Sequence, residues 1–257
     1  MSNIVLSAVV LSQNEEKNLP RCLDSLRFAD EVLVVDAMSE DSSATLARAH
    51  GARVIQQQWM GFAKQWQFAV DHAKGDWVLL CAADEEVSEG LADEMRRTLL
   101  QPGNIKGYWV PRQSQFLGRW MRHGPWADDC QLRLFRKSHG GIAERAVHEG
   151  VVLSGDAGRL ANLLYHYTHQ TISDSVLRLN RYTTLEAGDR AGRRRIGVLD
   201  FVFSPLSVFL KYYLCKGCWR AGIHGFLLSA ITAMYKSVLY IKIYFLQRSR
   251  RPGNDAS

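Results

Sequence analysis

The sequence predicts an α/β protein, built on a mainly parallel, doubly wound sheet with a helical C-terminal region, and three observations carry that prediction. Apolar, β-branched runs of strand length alternate four times with segments of helical period; the runs end in polar or acidic residues; and beyond about residue 170 the pattern gives way to apolar helices set with basic and aromatic side chains. With 257 residues, 47% of them hydrophobic, the chain can bury a full core in one large domain or in one domain plus an appendage.

Residues 4–11, Ile-Val-Leu-Ser-Ala-Val-Val-Leu, predict the first strand, and Leu19, Cys22, Leu23 and Leu26 give the helical spacing after it. Glu31-Val-Leu-Val-Val35 predicts a second strand ending at Asp36, and the turn Ser39-Glu-Asp-Ser42 supplies capping residues for the next helix. A short strand is expected at Ala52–Ile55, a helix at Phe62–His72, and a buried strand from Asp76 to Leu80 that runs into Asp84, Glu85 and Glu86. Between Gly107 and Tyr167 short extended pieces, Tyr108–Pro111 and Gln131–Phe135, are separated by loops rich in Gly, Arg, His and Trp, where binding groups tend to lie. An amphipathic helix is expected at 171–191, followed by strongly apolar helices at 198–213 and 221–246. The expected division is an α/β domain over residues 1–168, a helical membrane-associating region over 169–250 and a disordered tail over 251–257.

The net charge of +6 is concentrated in the last third, where the bases are interleaved with Phe, Tyr and Trp. That mixture fits an anionic membrane surface rather than a nucleic-acid groove. Lys211, His224, Lys236 and Lys242 interrupt the apolar helices, so no uninterrupted apolar span of about eighteen residues is expected, and the helices are expected to lie in the interface rather than cross it. The first residues show neither the basic region nor the cleavage site of a secretory signal, which predicts a cytoplasmic location, peripheral on the inner face of the membrane. Five irregularly spaced cysteines fit a reducing compartment, and Cys215-Lys-Gly-Cys218, with no second pair of metal ligands, is assigned a packing role.

Three strand ends carry the chemistry: Asn14 and Glu15 after the first strand, Asp36 and Asp41 after the second, Asp84, Glu85 and Glu86 after the fourth. Parallel strands bring these turns to one edge of the sheet, where carboxylates accept hydrogen bonds from a base and ribose while another binds a divalent metal beside a diphosphate. Helix capping explains an isolated acid at such a turn, but not clusters at three turns. The first turn contains no Gly-x-Gly-x-x-Gly, which argues against a dinucleotide cofactor.

Val-Val-Leu-Ser-Gln-Asn-Glu-Glu (9–16), Val-Val-Asp-Ala-Met-Ser-Glu-Asp (34–41), Gly61-Phe62 with Gln65, Gly-Asp-Trp-Val-Leu (75–79) and Ala-Asp-Glu (83–85) resemble the family 2 inverting glycosyltransferases of GT-A fold. Phe-Leu-Gly-Arg-Trp (116–120), Asp-Cys-Gln-Leu-Arg-Leu-Phe (129–135), Val-His-Glu (147–149) and Leu-Asn-Arg-Tyr (179–182) narrow the resemblance to the bacterial branch containing the lipopolysaccharide inner-core β-glucosyltransferases. The resemblance spans Ile4 to about Leu246. It implies transfer of a hexose, glucose above others, from a nucleotide-sugar such as UDP-glucose to a lipid-linked saccharide at a membrane surface, with Mg2+ or Mn2+ as cofactor.

By position it implies Asn14, Glu15 and Asp36 on the nucleoside, Gln65 near the donor, and Asp84, with Glu85 second, on the metal. Asp129 is the implied general base, with Asp128 and Glu149 as competitors; Gln131 would hold a sugar and Arg133 would balance diphosphate charge. Two positions depart from the pattern. Ala82 replaces the first carboxylate of the Asp-x-Asp motif, and Trp66 replaces a basic residue after Gln65, which raises the alternative of a non-catalytic nucleotide-sugar-binding scaffold.

Overall fold

The computed structural model describes residues 6–143, 150–192 and 196–249. The chain folds as two compact units, Met1–Gln113 with Asp128–Tyr167, and Ser114–Ala127 with Thr168–Ser257.

In the first unit, β1 (Leu6–Ser12), α1 (Leu19–Ser25), β2 (Glu31–Asp36), α2 (Ser43–Ala49), β3 (Arg53–Gln56), α3 (Phe62–His72) and β4 (Trp77–Ala82) follow the expected alternation. Next come β5 (Glu85–Val87), α4 (Glu89–Leu100) and β6 (Gly107–Phe116), whose last residues, from Ser114, belong to the second unit. Strand β7 (Arg119–Trp120) lies in that unit, whereas β8 (Cys130–Arg136), β9 (Gly140–Ile142), β10 (Val151–Leu153), β11 (Ala157–Arg159) and β12 (Leu164–His166) return to the first. The main sheet runs β3-β2-β1-β4-β8-β6-β12-β5. Its first four strands are parallel, and β8 is antiparallel to both β4 and β6.

β4 shows why the sheet is doubly wound. Trp77, Leu79 and Cys81 pack on one face with Leu19, Cys22 and Leu23 of α1 and Leu91, Met95 and Leu99 of α4. Val78 and Leu80 pack on the other with Trp66, Ala69 and Val70 of α3. Period-2 alternation therefore fills two cores at once, and each fully buried large side chain contributes roughly 1.5–3 kcal/mol. Trp66, which departs from the family pattern, is one of these core residues.

Because the chain moves outward from β1 to β3 and then returns to place β4 on the other side of β1, the strand order reverses at β1. A crevice beyond the carboxyl ends follows from that reversal. The ends are level: Leu11 pairs with Ala82, Ser12 with Asp36, and Asp36 with Gln56.

In the second unit the β6–β7 hairpin turns through Leu117 (φ 48°) and Gly118 (φ 80°), two successive positive φ values that match the right-handed twist of its strands. Phe116 and Met121 share a core with Cys218, Ala221 and Leu228. Gly124 (φ 95°) lies so close to this core that a Cβ there would collide with Cys218 Sγ; of the two cysteines expected to pack, Cys218 is buried here and Cys215 is exposed. α5 (Ile172–Arg190) opens with a Thr171–Asp174 capping box, and α6 (Val198–Leu210) and α7 (Gly222–Ser249) complete the unit.

The 32 residues Cys218–Ser249, which include α7, are long and apolar enough, by length and composition, to cross a membrane. Lys236 and Lys242 lie within α7, so the stretch is not an unbroken apolar run. The expected tail, residues 251–257, lies outside the described residues.

Candidate active site

All of the described candidate residues belong to the first unit. At the ends of β1 and β2 the polar groups are held by neutral donors close by. Fully buried Asp36 accepts from the Ser39 amide (3.0 Å), the Ser39 hydroxyl (2.5 Å) and, at 3.4 Å, Gln56 Nε2. Ser39 Oγ also accepts from the Asn14 amide, and Asn14 Oδ1 accepts from the Glu40 amide, each at 2.9 Å. Asn14 takes a left-handed conformation (φ 56°), one that asparagine tolerates better than most side chains, and this turns its carboxamide toward the second loop. Glu15 donates its amide to Ser43 Oγ (2.8 Å) and accepts from Asn18 Nδ2 (2.8 Å). Asp41 accepts from the amide of Ser43, the first residue of α2 (2.9 Å). Gln65, on α3, is fully buried and bridges Gln57 O and the Met60 amide, each at 3.3 Å, so it ties down the loop after β3.

The three successive carboxylates after β4 go three ways. Asp84, buried in the β4–β5 turn, lies 3.5 Å from His166 Nε2. The antiparallel β5–β12 register sets His166 opposite Glu85 and so beside Asp84. Glu85 is fully buried; its Oε1 accepts from Arg112 (2.9 Å) and Arg133 (3.1 Å), and its Oε2 accepts from the Ala82 amide (2.8 Å). Burial, the largest single influence, would raise its pKa, but the Arg133 and Arg112 guanidiniums, together with His166 and the Ala82 amide, hold the carboxyl below its ordinary 4.5. Glu86 turns away to accept from Tyr167 Oη (2.6 Å), with Arg21 3.7 Å from the same oxygen.

Beyond β4 the antiparallel strands bring in the remaining groups. Arg112, on β6, is hydrogen-bonded through its amide to Asp129 O (2.8 Å), and its side chain reaches Asp129 Oδ2 from both Nε and Nη2, each at 2.7 Å. Asp129 Oδ1 accepts a longer bond from Gln131 Nε2, at 3.3 Å. Arg133 Nε is buried and has no hydrogen-bond partner among the described residues. The structure thus links Glu85, Asp129, Gln131 and Arg133 through Arg112 in one charged network. Asp128 is exposed, and Glu149, with its neighbour His148, lies outside the described residues.

Arg112 and His166 are the site residues that sequence reasoning missed. Arg112 had a signal: it falls at an inward position of β6, in phase with buried Tyr108 and Val110, where an arginine demands an acid partner. His166 had none, because only the β5–β12 pairing puts it next to Asp84. Glu85, expected as the second metal ligand, is instead engaged on both oxygens by protein donors. Among the described residues, no group of three or more His, Cys, Asp or Glu is placed to hold a metal by itself. Of this pair, the Asp84 carboxylate is the kind of hard oxygen ligand that Mn2+ or Mg2+ takes, whereas the His166 imidazole is a softer donor.

The family described as Glycosyl transferase family 2 matches residues 7–153. The lipopolysaccharide core biosynthesis glycosyltransferase LpsC of Rhizobium meliloti (strain 1021) is 30% identical over 93% of this chain and 92% of its own length. The uncharacterized glycosyltransferase RT0209 of Rickettsia typhi is 27% identical over 96% of this chain and 89% of its own. Among solved structures, the mannosyltransferase PcManGT from Pyrobaculum calidifontis, in complex with GDP-Man and Mn2+, covers 94% of this chain and 87% of its own, with a TM-score of 0.55 and 12% identity, a likeness of fold.

Proposed function

This chain belongs to glycosyl transferase family 2 and has the GT-A fold, and from that premise we propose the substrates and the part each residue plays. The enzyme transfers a hexose, glucose first among candidates, from a uridine diphosphate sugar to a lipid-linked saccharide of the lipopolysaccharide-core type, with inversion. It works at the inner face of the cytoplasmic membrane. The core-biosynthesis role named for LpsC supports the acceptor class. The reading rests above all on the three-way division of the acids after β4, which sets Asp84 beside His166 at the crevice while Glu85 gathers two arginines.

Asn14, Glu15 and Asp36 receive the nucleoside, and Gln65 keeps the loop after β3 in place for it. Asp84 and His166 would hold the divalent cation, which supplies positive charge to the departing diphosphate. Glu85 acts as a positioning residue that fixes Arg112 and Arg133 rather than as a metal ligand. Asp129, oriented by Arg112, takes the proton of the acceptor hydroxyl as its oxygen bonds the anomeric carbon and the bond to diphosphate breaks; Arg133 faces the developing negative charge, and Gln131 holds a sugar. Asp128 and Glu149 are the competing bases. Ala82 favours a second reading, a scaffold that binds nucleotide-sugar without transferring it.

A thermal-shift screen of nucleotide-sugars with and without Mn2+ identifies the donor, and nucleoside diphosphate release with a lipid-linked acceptor, with product configuration read by NMR, tests the transfer. Donor binding with no release across an acceptor panel selects the scaffold. No stabilisation by any nucleotide-sugar sinks both readings.

A further inference from the structure

We infer that the second unit docks on an anionic bilayer as a monotopic module, inserting the outer face of α6, and that α7 does not cross the membrane. The inference deepens the membrane association proposed above by naming its surface and its lipid chemistry. Leu199, Val202, Phe203, Leu206 and Leu210 recur at helical spacing along α6 and are all exposed, Phe203 at 62% and Leu206 at 51%. The opposite face of α6 is occupied: Phe201 packs edge-on to Tyr244, and Phe209 to Phe226. The exposed stripe is therefore apolar surface left over after the helix has packed.

Charge identifies the occupant. Residues 198–249 hold six Lys or Arg and one acid, Asp200, whose carboxylate already accepts from the Gly197 amide (2.9 Å). Lys211, Lys216 and Arg220 are exposed in the turn that ends α6, and Arg220 lies over the ring of exposed Trp219 at 5.3 Å. An apolar stripe that ends in bases and a tryptophan matches acyl chains below and anionic headgroups beside them.

α7 meets the length for a span, but its partners forbid one. Lys242 Nζ, in the middle of its C-terminal half, is bound to α5 at Asn180 O and Oδ1 (2.7 Å each), Thr183 Oγ1 (2.8 Å) and Thr184 Oγ1 (2.7 Å). Tyr235 Oη donates to Glu186 of α5 (2.5 Å), and Gln247 Nε2 to Ala191 O (2.9 Å). α5 carries exposed Arg181, Asp189 and Arg190. Crossing the bilayer would pull those charges into hydrocarbon or break the bonds to α5, whereas docking through α6 requires neither.

Co-sedimentation of the full chain with phosphatidylcholine vesicles, with and without phosphatidylglycerol, and with no donor or acceptor present, tests the docking apart from the transferase chemistry. Binding is expected to prefer phosphatidylglycerol. The double variant Phe203→Glu/Leu206→Glu should lose about tenfold or more in partitioning, since two side chains of exposed apolar area leave the lipid. Lys216→Glu/Arg220→Glu should lose binding to phosphatidylglycerol vesicles while keeping the weaker binding to phosphatidylcholine. All four positions are exposed, so unchanged circular-dichroism melting confirms that each variant folds. Undiminished binding by the apolar double variant, or no lipid preference in the unaltered chain, overturns the proposal. Protection of a C-terminal tag in membrane vesicles whose exposed Cys215 is open to an impermeant maleimide would show a crossing and overturn it as well.

Discussion

The two sides of the candidate site hold their acids by different physics. On the parallel side Asp36 sits among a serine amide, a serine hydroxyl and a carboxamide, all neutral and all within one or two loops of it. On the antiparallel side Glu85 and Asp129 are held by the guanidiniums of Arg112 and Arg133, which arrive from other strands. Neutral nests fix the direction of a carboxylate without adding charge, which suits recognition of a nucleoside. Guanidiniums gather positive charge around the groups they orient, which suits a reaction in which a diphosphate leaves. The contrast predicts binding defects from one side and turnover defects from the other.

The largest expected effect is on the charged side. Asp129→Asn should lower kcat about 10²–10⁴-fold, the usual contribution of general-base catalysis, with little change in donor KM. Asp36→Asn should instead raise donor KM while sparing kcat. Nucleoside diphosphate release at saturating Mn2+ measures both, and equal turnover by Asp129→Asn and the unaltered enzyme would remove Asp129 as the base.

Stability should divide in the same way. Glu85→Ala leaves two largely buried guanidiniums without their common partner and is expected to cost about 3–5 kcal/mol in denaturant unfolding. Asp36→Asn keeps one acceptor oxygen among neutral donors and should cost only about 1 kcal/mol. Comparable losses from the two variants would erase the distinction drawn here.

The parallel side was also the legible side. α3 takes the expected Phe62–His72, and β2 and β4 end at or within two residues of where their apolar runs stop, because a strand buried on both faces leaves a continuous apolar record. Asn14, Asp36 and Asp84 could be placed from strand ends alone. The antiparallel side resisted because its order depends on pairings between distant segments: Arg112 with Glu85, and His166 beside Asp84, are set by register rather than by spacing. The same blindness affected α7, where Lys242 reads in sequence as an interruption and in the fold is a staple to Asn180, Thr183 and Thr184.

Acid titration gives a smaller effect that sharpens the contrast. The folded pKa of Glu85 lies below its ordinary value, so the folded chain binds this proton less readily than the unfolded one. Its stabilisation is therefore complete above the ordinary value of 4.5 and is lost as pH falls through the lower folded value. Glu31, Asp41 and Glu94 are lowered too, each against a burial effect that hydrogen bonds outweigh, so the unaltered protein loses stability in acid for several reasons. The informative quantity is the gap between it and Glu85→Gln, which should stay constant above about pH 5 and narrow below it. A gap that persists unchanged into strong acid would mean that Glu85 is not charged in the folded protein.

The smallest expected effect sits where the two sides meet. Ala82 ends β4, pairs with Leu11 of β1, and donates its amide to Glu85, so its backbone is fixed by both the parallel register and the charged network. A carboxylate introduced there adds one negative charge to a site in which Asp84 is the proposed metal-binding carboxylate. Ala82→Asp should therefore tighten Mn2+ dependence of turnover by about tenfold or less, since affinity for such cations follows the number of charged oxygen ligands. Donor KM at saturating metal should stay put, because the nucleoside contacts lie on the parallel side. Tightening confined to the metal term would mark Asp84 as a working but under-supplied metal site. A variant with unchanged metal affinity and turnover would sever Ala82 from the metal and, with it, the alignment that reads this strand end as a shortened Asp-x-Asp.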